Sequence, residues 1–257
     1  MFDFASPLIV LLVGIAFLSG VGITTVGPGG IFVTIALYSL TPISSGTVAG
    51  TAHATFIATG LVGTAAYVHS GELKTTEARA MALLLSVSSI GGALVGAYAN
   101  SFVSRPIFGL LLGVVATATG LTIVYRERCG LSPLYRLDVS RREGRIVLGV
   151  VGFTLGITSG LLGVGGPVIA VPALVLIGVP MLLALAVAQV QSVFIATFAT
   201  TGYLLQGNVS VALAAIVGLP LLAGVVVGWK VAHLVNPAKL KVALGIVLVV
   251  VGLALAM

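Results

Sequence analysis

Charge is what this sequence has least of. Only 7% of its 257 residues are Asp, Glu, Lys or Arg, while 59% are hydrophobic. With a mean hydropathy of +1.25 there is too little polar side chain to coat a soluble domain. The composition is that of a polytopic membrane protein. Acidic groups are scarcer still: Asp3, Glu72, Glu77, Glu127, Asp138 and Glu143 all fall between apolar stretches or near their ends. A buried carboxylate proton relay is therefore not expected. The single cysteine, Cys129, excludes an internal disulfide, and three scattered histidines give no zinc spacing. No metal, cofactor or nucleic-acid partner is expected. No nucleophile is set beside a base, so the chain does not read as an enzyme. The opening residues MFDFASPLIV lack a basic region of the signal-peptide kind and predict a retained first span.

What the sequence has in abundance is apolar length. Long stretches lie at 7–26, 47–68, 80–99, 106–125, 146–163, 181–205, 209–233 and 238–256. Each is on the order of 20 residues, enough to cross a bilayer as helix. Two shorter pieces, 29–44 and 165–179, lie between them. Just before each is a glycine-rich run: GVGITTVGPGGIFV, Gly20 to Val33, and GITSGLLGVGGPVI, Gly156 to Ile169.

Laid one over the other, these runs match Gly20, Gly27, Gly29 and Gly30 with Gly156, Gly163, Gly165 and Gly166. The same alignment pairs Tyr67 with Tyr203, Gly71 with Gly207, Gly92 with Gly228, Asn100 with Asn236 and Gly109 with Gly245. A duplication follows. The expected organisation is a first transmembrane repeat, 1–125, a basic linker, 126–145, and a second repeat, 146–257.

Lysines and arginines decide between parallel and inverted repeats, because cytoplasmic loops carry them. The linker holds six arginines and is placed in the cytoplasm. If both short pieces cross the membrane, Lys74, Arg79, the linker arginines, Lys230, Lys239 and Lys241 all face the cytoplasm. Arg105 alone faces out. If neither crosses, Arg105, Lys230, Lys239 and Lys241 all fall outside. The sequence therefore predicts an all-α protein of two inverted repeats, each with five membrane segments. That makes eight long spans and two short broken helices in the cell membrane, with both termini extracytoplasmic.

Glycine breaks at membrane depth need a reason, since irregular backbone there is tolerated only when buried in protein or lining a polar cavity. A helix start offers unpaired N–H groups and about half a positive charge, which suits an anion. Glycines let a ligand approach the backbone, and Pro167 fits a first helical turn. Inverted halves would bring the two starts together near the midplane. Close helix packing is the simpler use of the same glycines. On the anion reading, Gly27, Gly29, Gly30, Gly163, Gly165 and Gly166 are candidate substrate contacts.

His53 is the one histidine well inside a span, and the repeat sets it opposite Gln189. As imidazolium it could neutralise an anion and carry a proton, making it the candidate for proton coupling; as neutral imidazole it could only donate one hydrogen bond. Thr24, Thr25, Thr51, Thr55, Gln189, Gln191 and Ser192 add uncharged donors. Threonine hydroxyls often bond their own helix instead, whereas two buried amides both need partners. Thr24, Thr25, His53, Gln189 and Gln191 complete the candidate binding set. The Gly92/Gly96, Gly109/Gly113 and Gly224/Gly228 pairs suit either internal packing or a homodimer face.

The glycine-rich break in each half, the segment ALAVAQVQSVFIATFATTGYLLQGNVS (Ala184 to Ser210) and the duplicated plan around a basic loop resemble the TauE/SafE family of sulfite and organosulfonate transporters. The resemblance spans essentially the whole chain. It implies a secondary transporter of small sulfur-containing anions working by alternating access; an anion channel or a carrier of an unrelated anion is the alternative. Pro28 stands where Val164 sits in the second run, so the two half-sites are expected to differ in shape.

Overall fold

The computed structural model describes residues 7–129, 141–232 and 237–256, with backbone alone at 129, 232 and 237–241. Arg136, Asp138, Asn236 and the side chains of Cys129, Lys239 and Lys241 lie outside the described residues. Among the described residues the fold is all helical. In order it runs α1 (Pro7–Thr25), a 3-10 turn (Pro28–Gly30), α2 (Ile31–Leu40), α3 (Ser45–Ser70), α4 (Thr76–Asn100) and α5 (Arg105–Cys129). Then come α6 (Arg142–Leu162), α7 (Gly166–Leu176), α8 (Met181–Leu205), α9 (Val211–Ala232) and α10 (Pro237–Ala256).

Local chemistry marks the ends. Ser44 and Thr75 cap α3 and α4 by accepting from the backbone N–H groups of Thr47 and Ala78. Gly71 ends α3 in the left-handed region, its N–H returned to the Tyr67 carbonyl.

Six described helices, α1, α4, α5, α6, α8 and α9, are long and apolar enough to cross a membrane. The chain is a multi-pass membrane protein. α3 is long enough too, at 26 residues, but carries His53 and a run of threonines and glycines. It can be this polar because its neighbours cover it: Thr51, His53, Thr55 and Thr59 are all buried. Outward positions are the reverse, with Val10, Leu18, Leu83, Val150, Leu219 and Val250 exposed. An apolar exterior around buried polar groups suits hydrocarbon surroundings.

The two halves interlock. α1 packs chiefly on α9, and α4 on α6, so each half lends its first helix to the other's fourth. Glycine permits both approaches: a Cβ on Gly20 would lie 2.1 Å from the Leu221 carbonyl oxygen, and one on Gly92 2.1 Å from that of Phe153. α1 and α9 run parallel, Phe17 meeting Gly224 and Val21 meeting Gly228. α4 and α6 are also parallel, with Leu85 on Gly152 and Ala93 on Gly160. α3 and α8 run antiparallel, from Gly50 on Tyr203 to Gly63 on Gln189. So do α5 and α10, from Gly113 on Gly252 to Gly120 on Gly245.

These contacts keep one part of the sequence alignment and shift another. Tyr67 donates to the Thr24 carbonyl and Tyr203 to the Gly160 carbonyl, 3.3 and 2.8 Å, the same bond in both halves. Beyond α3 and α8 the register slips by one turn. Gly92 meets Phe153 and Gly156, but Gly224 rather than Gly228 meets Phe17 and Gly20. Gly245 likewise answers Gly113, while Gly109 packs on Tyr38. The small-residue pairs are thereby used within the chain.

Candidate functional site

Both breaks fall where the sequence puts them. Gly27 adopts φ 107°, Gly163 66° and Gly165 72°, left-handed values that side chains disfavour. Gly30 precedes α2 and Gly165 precedes α7, with Pro167 in the first turn, where its missing N–H costs nothing.

The two helix starts border one small cavity. Gly27 and Gly30 line it from the first half and Gly165, Pro167, Val168, Gln189 and Ser192 from the second, closed by Ile23, Phe56, Thr59 and Val164. It has room for about one water molecule. The Phe56 ring divides the two starts: a Cβ on Gly30 or on Gly165 would lie 3.3 Å from it. Gln189 enters from α8 because Gly63 opposite has no side chain; a Cβ there would stand 2.7 Å from its Oε1. Its Nε2 is buried without a hydrogen-bond partner. An unpaired buried amide is costly unless something polar comes to meet it. Ser192 Oγ accepts from the Gly166 N–H at 3.4 Å, at the start of α7.

Gly27, Gly30, Gly165 and Gln189 of the expected set thus line one space, and Gly166 adjoins it. The others do not line it. Gly29 folds back on α1, where a Cβ would meet the Ser19 carbonyl oxygen at 2.4 Å. Gly163 packs on Ala49 and accepts a hydrogen bond from Thr34 Oγ1. Thr24 bonds the Val225 carbonyl at 3.0 Å and Thr25 the Val21 carbonyl at 2.7 Å, so both hydroxyls serve backbone. His53 is fully buried, with Nε2 2.9 Å from the Ser159 carbonyl and its ring stacked on Tyr203 and edge-on to Phe56. Gln191 is also fully buried, and neither amide atom has a partner.

Phe56 is the lining residue that donor chemistry overlooks. The signal was present: three residues beyond the His53–Gln189 pair, the repeat sets Phe56 opposite Ser192, and both reach the cavity.

A cavity shared by two helix starts and an amide, with no buried charge in its wall, suits a small anion held by N–H groups. The family model described as sulfite exporter TauE/SafE matches residues 8–255. This chain belongs to the TauE/SafE family. No curated protein and no solved structure matches it. As a TauE/SafE protein it is a membrane transporter, and its long apolar helices are the spans such a protein requires.

Proposed function

We propose that the protein is a secondary carrier of a small sulfur-containing anion, sulfite or an organosulfonate, held between the starts of α2 and α7. The observation that carries this is the shared cavity, lined by Gly30, Gly165 and Gln189, whose amide nitrogen is unpartnered. Helix-start N–H groups and an amide hydrogen bond to oxyanion oxygens without a buried cation, so the empty carrier need not bury an uncompensated charge.

Alternating access follows if the halves are inverted repeats, and helix directions support that reading. α4 and α8 both oppose α3, and α6 runs with α4, so α6 and α8 point the same way. α7 must therefore return across the membrane between them. α9 opposes α8 and α1 runs with α9, so α1 and α3 agree and α2 must return likewise. Each half then has five crossings, with the linker on the cytoplasmic face of the cell membrane and both termini outside. Arg105, the one basic residue on the outer face, has a structural task. Its guanidinium donates to the carbonyls of Tyr38, Thr41 and Ile43 at the end of α2, where a cation complements the helix dipole.

Outward movement of a bare anion is favoured by a negative-inside potential, by roughly 2.3 kcal/mol per charge at 100 mV, so export needs no coupling ion. The test is exchange of labelled sulfite and of a short sulfonate in liposomes, with and without voltage and pH gradients. Saturable exchange that voltage drives and pH does not is expected. No exchange by folded protein would overturn the proposal, and conductance far above carrier rates would make it a channel.

A further inference from the structure

The central cavity is sealed unequally on its two sides. Toward the outer face, Gly163 rests directly on α3, where a Cβ would stand 2.6 Å from the Ala49 Cα, and Thr34 bonds its carbonyl. Toward the linker, the nearest atoms over its repeat partner Gly27 are in the side chains of Val171 and Leu185, 3.2 and 3.0 Å from a Cβ built there. Backbone on backbone opens only if a helix moves. A valine or leucine tip needs only to rotate or shift.

Beyond this thin wall lies a second, narrow cavity, lined by Val26, Pro28, Val171 and Met181, with Arg126 and Glu127 at the end of α5. Val26, Gly27 and Pro28 are consecutive, so one stretch of backbone has the central cavity on one face and this one on the other. Arg126 is half-buried there, and Glu127, the next residue, brings a carboxylate to the same wall. An arriving oxyanion would meet the guanidinium, whose fork matches sulfonate oxygens, with that carboxylate on the same wall to oppose its binding.

Resting on the carrier reading, we propose that this cavity is the cytoplasmic inlet of the anion path. Arg126 is its first anion subsite, Glu127 the competitor that lets the anion leave again, and Val171 over Gly27 the gate.

The test uses Met181→Cys in a Cys129→Ser background, in neutral phosphatidylcholine vesicles sorted for orientation. A membrane-impermeant maleimide is applied to each face, with methanesulfonate as the probe anion. Labelling from the linker face alone is expected, slowed several-fold by methanesulfonate. Arg126→Gln should abolish that protection and Glu127→Gln should give it at lower concentration. Arg128→Gln, whose exposed guanidinium does not line the cavity, should leave it unchanged. Val171→Ala should speed labelling of Ser192→Cys in the central cavity from the linker face. Labelling from the opposite face, or protection indifferent to Arg126→Gln, overturns the proposal. Protection that appears only with phosphatidylglycerol present would assign the subsite to lipid headgroups and also overturn it. If this pattern holds while neither sulfite nor sulfonate exchanges, the inlet stands and the carrier reading fails.

Discussion

His53 Nε2 donates a hydrogen bond of 2.9 Å to the Ser159 carbonyl oxygen, tying the middle of α3 to the last turn of α6. A carbonyl only accepts, so Nε2 carries the hydrogen. The ring is held between Phe56 and Tyr203 and does not line the cavity. This geometry gives His53 the role of a clasp between the halves. His53→Gln, which keeps an N–H donor, is expected to retain exchange and its pH profile. His53→Leu should lose about 1 kcal/mol of stability. A pH dependence that vanishes in His53→Gln would restore the proton-carrying role.

Gln189 makes the opposite prediction. It lines the cavity and its amide nitrogen is unpartnered, so on the carrier proposal Gln189→Leu removes a donor to the anion and a buried unpaired group together. The variant should melt no lower than the parent. It should bind sulfite or a short sulfonate about tenfold more weakly, equivalent to about 1.4 kcal/mol and the size of one hydrogen bond to a charged group. Equal affinity in a binding titration would remove Gln189 from the site.

Glycines of the two breaks differ in what surrounds them, and alanine should report it. Both Gly27 and Gly163 have positive φ, which an alanine disfavours; in the left-handed helical conformation of Gly163 the cost is roughly 1–2 kcal/mol. Gly163→Ala also drives a methyl into the Ala49 backbone, whereas the nearest atoms to a Gly27→Ala methyl belong to the side chains of Leu185 and Val171. Gly163→Ala should lower the melting temperature in detergent clearly more than Gly27→Ala. The reverse order would mean that the seals are not as unequal as the contacts indicate.

Arg105 holds the C-terminal end of α2, and Tyr38 covers its guanidinium 4.7 Å from the ring centroid while donating to the Arg105 carbonyl. Arg105→Gln is expected to destabilise by about 1–3 kcal/mol, since several carbonyls lose a charged donor at once. Arg105→Lys should recover part of the loss, keeping the charge but not the planar fork. Thermal unfolding monitored by tryptophan fluorescence would check it, and no difference between Gln and Lys would rule out the fork's contribution.

Much of the fold was legible because in a membrane apolar length and glycine punctuation have few other meanings. The stretches at 80–99 and 181–205 became α4 and α8, and the glycine runs became the observed breaks. The slip that replaces Gly228 by Gly224 as the answer to Gly92 was not legible. Glycines four residues apart lie on the same helix face, so either alignment matches glycine with glycine, and only the neighbouring helix decides. Thr24 and Thr25 read as donors near a break, but their own and neighbouring carbonyls satisfy them.

The sequence by itself determined that this is a multi-pass membrane protein whose helices are broken twice by glycine-rich runs. Those properties follow from composition and spacing, which act locally wherever the chain lies. Only the tertiary structure decided which polar groups share a space. Gln189 faces the cavity because Gly63 across from it is bare, His53 is drawn off by Ser159, and Phe56 stands between the helix starts. Each outcome depends on residues distant in the chain meeting at ångström range.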